Sequence, residues 1–240
     1  MGENEDINRK RVMKKILILG PTKAGKTTLA TFLGEYMGDE IRDDDNRSNR
    51  KMELEFTEVY RPTKGVRIVE FESHEFLSKD DKEAHETEHG RIMDVEIQLW
   101  DVSGDRKYED CWPAIKENVN GVIFVANPEE HTGKDLLIWY HEFVEKERLD
   151  PNMVMVLLNE QGPKKTNHEL VSAFEIQPQL HGVSHVACHF GTEGMSLKQE
   201  VNNFLVKIMM NGQTELSPLV TEEIVEDNII DDDSDDDDDF

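Results

Sequence analysis

The sequence predicts an α/β fold, a doubly wound domain whose mostly parallel six-stranded sheet carries helices on both faces. Three observations predict it. Short apolar runs alternate with helical periods between Met13 and Asn211, those runs are apolar nearly throughout, and the first of them enters a glycine-rich octet that opens a helix. A chain of 240 residues accommodates one such domain with tails.

In chain order, "MKKILIL" reads as the first strand and Leu29, Phe32, Leu33 and Tyr36 as one face of the helix after the octet. "GVRIVEF", "VEIQLW" and "GVIFVA" read as the next three strands. Leu136, Leu137, Tyr140, Phe143 and Val144 recur at helical spacing, then "NMVMVLL" and "VSHVAC" complete six strands, and Leu197, Val201, Phe204, Leu205 and Ile208 mark a closing helix. The domain is expected over residues 12–212, after a flexible N-terminus of residues 1–11. Two charged stretches, about 37–56 and 73–92, interrupt the rhythm and read as mobile surface insertions flanking the second strand. Residues 213–240 read as a disordered acidic tail: the last 26 residues hold 13 acidic side chains and no basic one, a density at which like charges cannot collapse. That tail is a solubilising segment or a docking arm for a basic partner.

A formal net charge of −25 argues against nucleic acid and against anionic membrane surfaces. Only Cys111 and Cys188 are present, too few for a disulfide framework, so a reducing compartment is expected, with both thiols as small core or pocket-edge residues. No run of 18 apolar residues occurs, the N-terminus lacks an apolar signal region, and the sequence ends in aspartates instead of a cysteine anchor, so no direct lipid anchor is expected.

The octet "GPTKAGKT", Gly20 to Thr27, fits G-x-x-x-x-G-K-[ST] between a strand and a helix. Backbone amides wrapped around an anion, backed by the positive end of the following helix, hold phosphate. Gly20, Lys23, Ala24, Gly25, Lys26, Thr27 and Thr28 are the candidates: Gly25 permits close backbone approach, Lys26 places a cation against the β and γ phosphates, and Thr27 offers a hydroxyl to Mg²⁺. In "QLWDVSGD", Asp101 ends a strand where the crevice of an α/β sheet lies and can hold the metal, while Gly104 can give its N–H to a γ-phosphate. In "YRPTKGVRIVEFE", Thr63 can add a second hydroxyl to the metal, closing only over a triphosphate. Taken singly, Asp101 also suits a helix cap or turn, and Thr63 a Pro-Thr turn before a strand.

"GPTKAGKT", "RPTKGVRIVEFE" and "LWDVSGDRKYEDCWPAI", in this order, resemble the Ras-like small GTPases, and within them the intraflagellar transport protein 22 / Rab-like protein 5 family. The likeness spans about residues 13–210. It implies a Ras-like fold, GTP or GDP with Mg²⁺ as cofactors, and a place in the complex B core of the intraflagellar transport train. It also implies docking on the coiled-coil subunits 74 and 81 among other complex B proteins, in cytoplasm and in cilium or flagellum, including the basal body region.

The sequence departs from the Ras-like pattern at two functions. The water-orienting Gln after the second motif's glycine is replaced by Asp105, a candidate catalytic group that equally suits a helix cap, so slow intrinsic turnover is expected. The guanine-selecting N-K-x-D is replaced by "NEQG": Asn159 remains, but Gly162 stands where the base-pairing Asp belongs. The loop "VACHF" also lacks the usual Ser-Ala-Lys, leaving Ala187 and Cys188 as candidates for backbone contact with a base. Weakened base discrimination is therefore expected. Two readings stay open, a nucleotide-stabilised interaction module and an actively cycling switch that needs an activating protein.

Other patterns weigh less. "HETEH", residues 85–89, matches a zinc-protease motif but lies in a charge run without an apolar face. His181, His185 and His189 recur at fours, as expected along a strand and loop. Trp112, Tyr108 and Trp139 suit either core packing or a partner anchor, and the helical setting of Trp139 favours packing.

Overall fold

The computed structural model describes residues 12–37, 61–73, 95–159, 174–189 and 193–211. The insertions (save Met37 and Ser73), the HETEH stretch, Glu160 to Gly162 and the acidic tail lie outside the described residues.

Six strands form one sheet in the order β2-β3-β1-β4-β5-β6. They are β1 (Val12–Leu19), β2 (Val66–Ser73), β3 (Val95–Val102), β4 (Gly121–Ala126), β5 (Val154–Asn159) and β6 (Ser184–Cys188). All pairings are parallel except β2 with β3, where Arg67 stands opposite Asp101. The sequence reading of a mostly parallel sheet holds, and the order reverses at β1, which opens a crevice at the carboxyl ends of β1 and its neighbours.

The central strands read as unbroken apolar runs because both faces are covered. Ile16, Ile18, Ile123, Val125, Met155 and Leu157 pack under α1 (Lys26–Tyr36) and the final helix, through Leu29, Phe32, Leu33, Leu197, Val201 and Phe204. The neighbouring residues Leu17, Leu19, Val122, Phe124, Val156 and Leu158 face the other layer. That layer holds α2 (Trp112–Ile115) and α3 (Leu137–Tyr140), and the final helix, Gly194–Asn211, is α4.

The second layer departs from one continuous helix. A 3₁₀ turn, Gly133–Leu136, precedes α3, and a π turn, His141–Glu145, follows it. Thr132 and Asp135 form a reciprocal capping box that tightens the entry. Trp139 is buried in this segment whereas Leu137 is only half-buried. Trp112 is core as well: its ring meets Phe143 edge-on at 5.3 Å between centroids and Trp139 at 6.5 Å. Cys188 is buried and its thiol is pushed up to about 12 by desolvation. Cys111 departs from the pocket-edge expectation: it closes the 3₁₀ turn Arg106–Cys111 and is exposed.

Candidate functional site

The octet forms the turn between β1 and α1. Gly20 at φ +137° and Gly25 at φ +99° hold conformations that favour glycine, and Lys23 occupies the left-handed region at φ +62°. Gly20 also has no room for a side chain, since a Cβ there would lie 2.2 Å from the Val125 carbonyl oxygen. The turn therefore rests directly on β4.

Lys26 opens α1 and is buried. Its Nζ donates to the Gly20 carbonyl at 2.9 Å and the Pro21 carbonyl at 2.6 Å, so the ammonium lies across its own loop. Burial lowers its pKa to about 8, with the Asp101 charge acting in the opposite direction. Lys23 is exposed at the turn, Ala24 is buried and Thr28 is half-buried in the first turn of α1.

Thr27, Thr63 and Asp101 converge. Thr27 Oγ1 donates to Asp101 Oδ2 at 2.7 Å, Thr63 Oγ1 donates to the same oxygen at 3.1 Å, and the two hydroxyls are 2.9 Å apart. Asp101 has no exposed surface, and its Oδ1 is buried without a hydrogen-bond partner. Desolvation raises its pKa; the hydrogen bond from Thr27, the Lys26 charge, the hydrogen bond from Thr63 and the Arg67 charge pull it back. A compact set of hard oxygens with one unsatisfied carboxylate oxygen suits a small divalent cation.

Gly104 stands against the turn: a Cβ on it would lie 2.5 Å from Pro21 C and from Thr22 N. Ser103 N donates to the Gly65 carbonyl at 2.8 Å, tying the segment after β3 to the one that carries Thr63. Ser103 was not singled out in the sequence, and a serine between Val and Gly carries no signal there. Asp105 accepts the Lys107 amide at 3.1 Å and lies 2.5 Å from the Lys107 ammonium. That side chain caps the 3₁₀ turn, and the Lys107 hydrogen bonds lower its pKa.

On the far side of the crevice, Asn159 is buried at the end of β5, and its Nδ2 donates to the Ala24 carbonyl at 3.2 Å. It braces the octet from the sheet, a role the sequence reading did not assign. Asn159 is in register with Cys188 on β6, and Ala187 and Cys188 are both buried. Asn127, also unassigned from sequence, is buried just after β4 and accepts the Glu129 amide on Oδ1 at 3.0 Å.

The fold and this constellation define a class, the Ras-like small GTPases, and the comparisons agree. A sequence profile of the ADP-ribosylation factor family matches residues 62–219. "Intraflagellar transport associated protein 2" of Caenorhabditis elegans is 58% identical over 218 residues, covering 88% of this chain and 85% of that protein. "Intraflagellar transport protein 22 homolog" of Danio rerio is 32% identical over 196 residues, covering 81% of this chain and 89% of its own length. Among solved structures, the "T. brucei IFT22/74/81 GTP-bound crystal structure" superposes with a TM-score of 0.57 at 25% identity, over 84% of this chain and 98% of that one. The chain belongs to the intraflagellar transport protein 22 family.

Proposed function

We propose that the chain is a GTP-binding, Ras-like subunit of the intraflagellar transport complex B core, acting in cilium or flagellum assembly as a nucleotide-stabilised interaction module with slow or absent intrinsic hydrolysis. One observation carries the reading: Lys26 laid across its loop beside the Thr27, Thr63 and Asp101 oxygens, the arrangement that receives a polyphosphate with its cation. Magnesium fits that donor set. Thr27, Thr63 and Asp101 would hold it, and the ion when bound offsets phosphate charge. Gly20, Lys23, Ala24, Gly25, Lys26, Thr28 and Gly104 serve the phosphates in this reading. Ala187 and Cys188 offer backbone contact to the base, with Asn159 beside them.

Slow turnover is supported by Asp105, whose carboxylate is committed to Lys107 and brings negative charge to the place where a neutral amide would orient water. The partners proposed are the coiled-coil subunits 74 and 81, named with the T. brucei relative in its complex. Mass spectrometry of the nucleotide that co-purifies, with and without those subunits, tests both halves. Retained GTP with an intact γ-phosphate supports the module. Recovery of no nucleotide from folded protein overturns it, and rapid turnover without an activator replaces it with the cycling switch.

A further inference from the structure

Two residues that face each other across the sheet edge each reach α1, one helical turn apart. Arg67 on β2 stands opposite Asp101 on β3, and directly opposed residues of an antiparallel pair send their side chains to the same face of the sheet. That face is the one packed under α1. Thr27 Oγ1 donates to Asp101 Oδ2 at 2.7 Å, and the Arg67 guanidinium donates from Nη1 to Thr31 Oγ1 at 3.0 Å. Thr27 and Thr31 are four residues apart and so lie one above the other on a single stripe of the helix, which Gly34 continues three residues on. At Gly34 the helix meets β2 again, since a Cβ there would lie 2.4 Å from Val69 Cγ1. Arg67 and Val69 are alternate residues of β2, so both belong to the face that this stripe covers.

We propose that Arg67 is a positioning residue for the cation site: its hydrogen bond to Thr31 clasps β2 to α1 and so sets the Thr63 hydroxyl against Thr27 and Asp101. The inference rests on the nucleotide reading above for its consequence, whereas the clasp joins two elements of the chain itself. Thr63 lies four residues before Arg67, and its hydroxyl is 2.9 Å from Thr27 Oγ1, so the Thr27–Thr63 contact and the Thr31–Arg67 bond are consecutive rungs between one helix and one segment. From the other side, Ser103 N holds the Gly65 carbonyl at 2.8 Å, which leaves Arg67 to fix the segment against the helix. A shift of the start of β2 would carry Thr63 away, while Lys26 and Thr27 stay with α1. Loss of the clasp should therefore fall on the cation and spare the grip on phosphate. The bond is charge-assisted but exposed, so the effect is modest.

The full-length chain is compared with Arg67→Ala, with Thr31→Val, which keeps the side-chain shape and removes the acceptor, and with the double variant. Retention of a fluorescent, non-hydrolysable GTP analogue is titrated with Mg²⁺. Each single variant is expected to raise the Mg²⁺ concentration for half-maximal retention about fivefold, and the double variant no further, because the same bond is lost in all three. At saturating Mg²⁺ the affinity should stay within about twofold of wild type, a split that general loosening of the fold would not give. Without nucleotide or metal, amide exchange over Thr63 to Val66 should rise several-fold in each variant. If the single variants need no more Mg²⁺ than the wild type, if their effects multiply in the double variant, or if affinity falls as far at saturating Mg²⁺, the proposal is overturned. Failure of every form, wild type included, to bind the analogue would instead sink the nucleotide reading. The exchange comparison would still decide the clasp, which unchanged exchange in both single variants overturns.

Discussion

At the phosphate end of the crevice, Lys26 lies across its own turn and Thr27 and Thr63 donate to one oxygen of a buried aspartate at 2.7 and 3.1 Å. At the base end, Asn159 reaches back to that same turn at 3.2 Å, and Cys188 is buried with its thiol held protonated by desolvation. Charged and hydroxyl groups crowd the first region. Among the described residues, the second offers backbone and one amide that is already engaged. On the nucleotide reading proposed above, the difference teaches that gripping a polyphosphate and choosing a base are separable properties of one sheet edge. That reading gives the chain side chains for the first, while Gly162 supplies no carboxylate for the second.

The comparison breaks most directly at Lys26. Lys26→Ala removes the buried cation and is expected to lower nucleotide affinity about 100-fold in an equilibrium titration, the range of a hydrogen-bonded charge pair. At the base end, GTP over ATP selectivity is expected to stay within about tenfold, because Gly162 brings no carboxylate to reject the wrong base. Gly162→Asp should widen that preference towards 100-fold, about the value of hydrogen bonds to a charged group. Strong guanine selectivity in the unaltered chain would erase the contrast. Asp101→Asn keeps the shape but not the charge, and the Mg²⁺ dependence of binding is expected to weaken about tenfold. A titration with Mg²⁺ at fixed nucleotide reads it.

The smallest effect lies beside the base end, on β6. Burial, aided by the His181 charge, lowers the His185 pKa, and its Nε2 is buried without a hydrogen-bond partner. The folded ring thus binds its proton less readily than the unfolded one. Its contribution is complete above the ordinary imidazole value and is lost as pH falls through the lowered one. For a half-buried ring the loss should stay below about 1 kcal/mol. Thermal unfolding between pH 7.5 and 5 should show a shallower acid slope in His185→Gln than in the wild type.

Much of this was legible in the sequence, for identifiable reasons. Strands buried on both faces leave unbroken apolar runs, so all six were found, and the octet's glycines and lysine are required by turn geometry and phosphate chemistry together. Asp101 and Thr63 were singled out because hydroxyl and carboxylate types at those places suit a hard cation, and the structure brings them together with Thr27. The braces were not. Asn159 was read for a base and is found supporting Ala24, and Asn127 belongs to no motif, because a single side-chain hydrogen bond to the backbone constrains position without a repeating pattern. Trp112 read as a core residue with a partner anchor as the rival, since an aromatic beside proline has no periodicity to assign its face. The spacing of Leu136, Leu137, Tyr140, Phe143 and Val144 read as helical throughout because 3₁₀, α and π turns differ too little in period over so few residues.

The meeting of Gly104 with the Pro21–Thr22 peptide is main chain on main chain, with no side chain as cushion. The Ser103 amide is bonded to the Gly65 carbonyl, so these two segments and the stretch bearing Thr63 meet at one place. Even an alanine would jam this joint, so the closeness of the three segments depends on the lack of a single β-carbon.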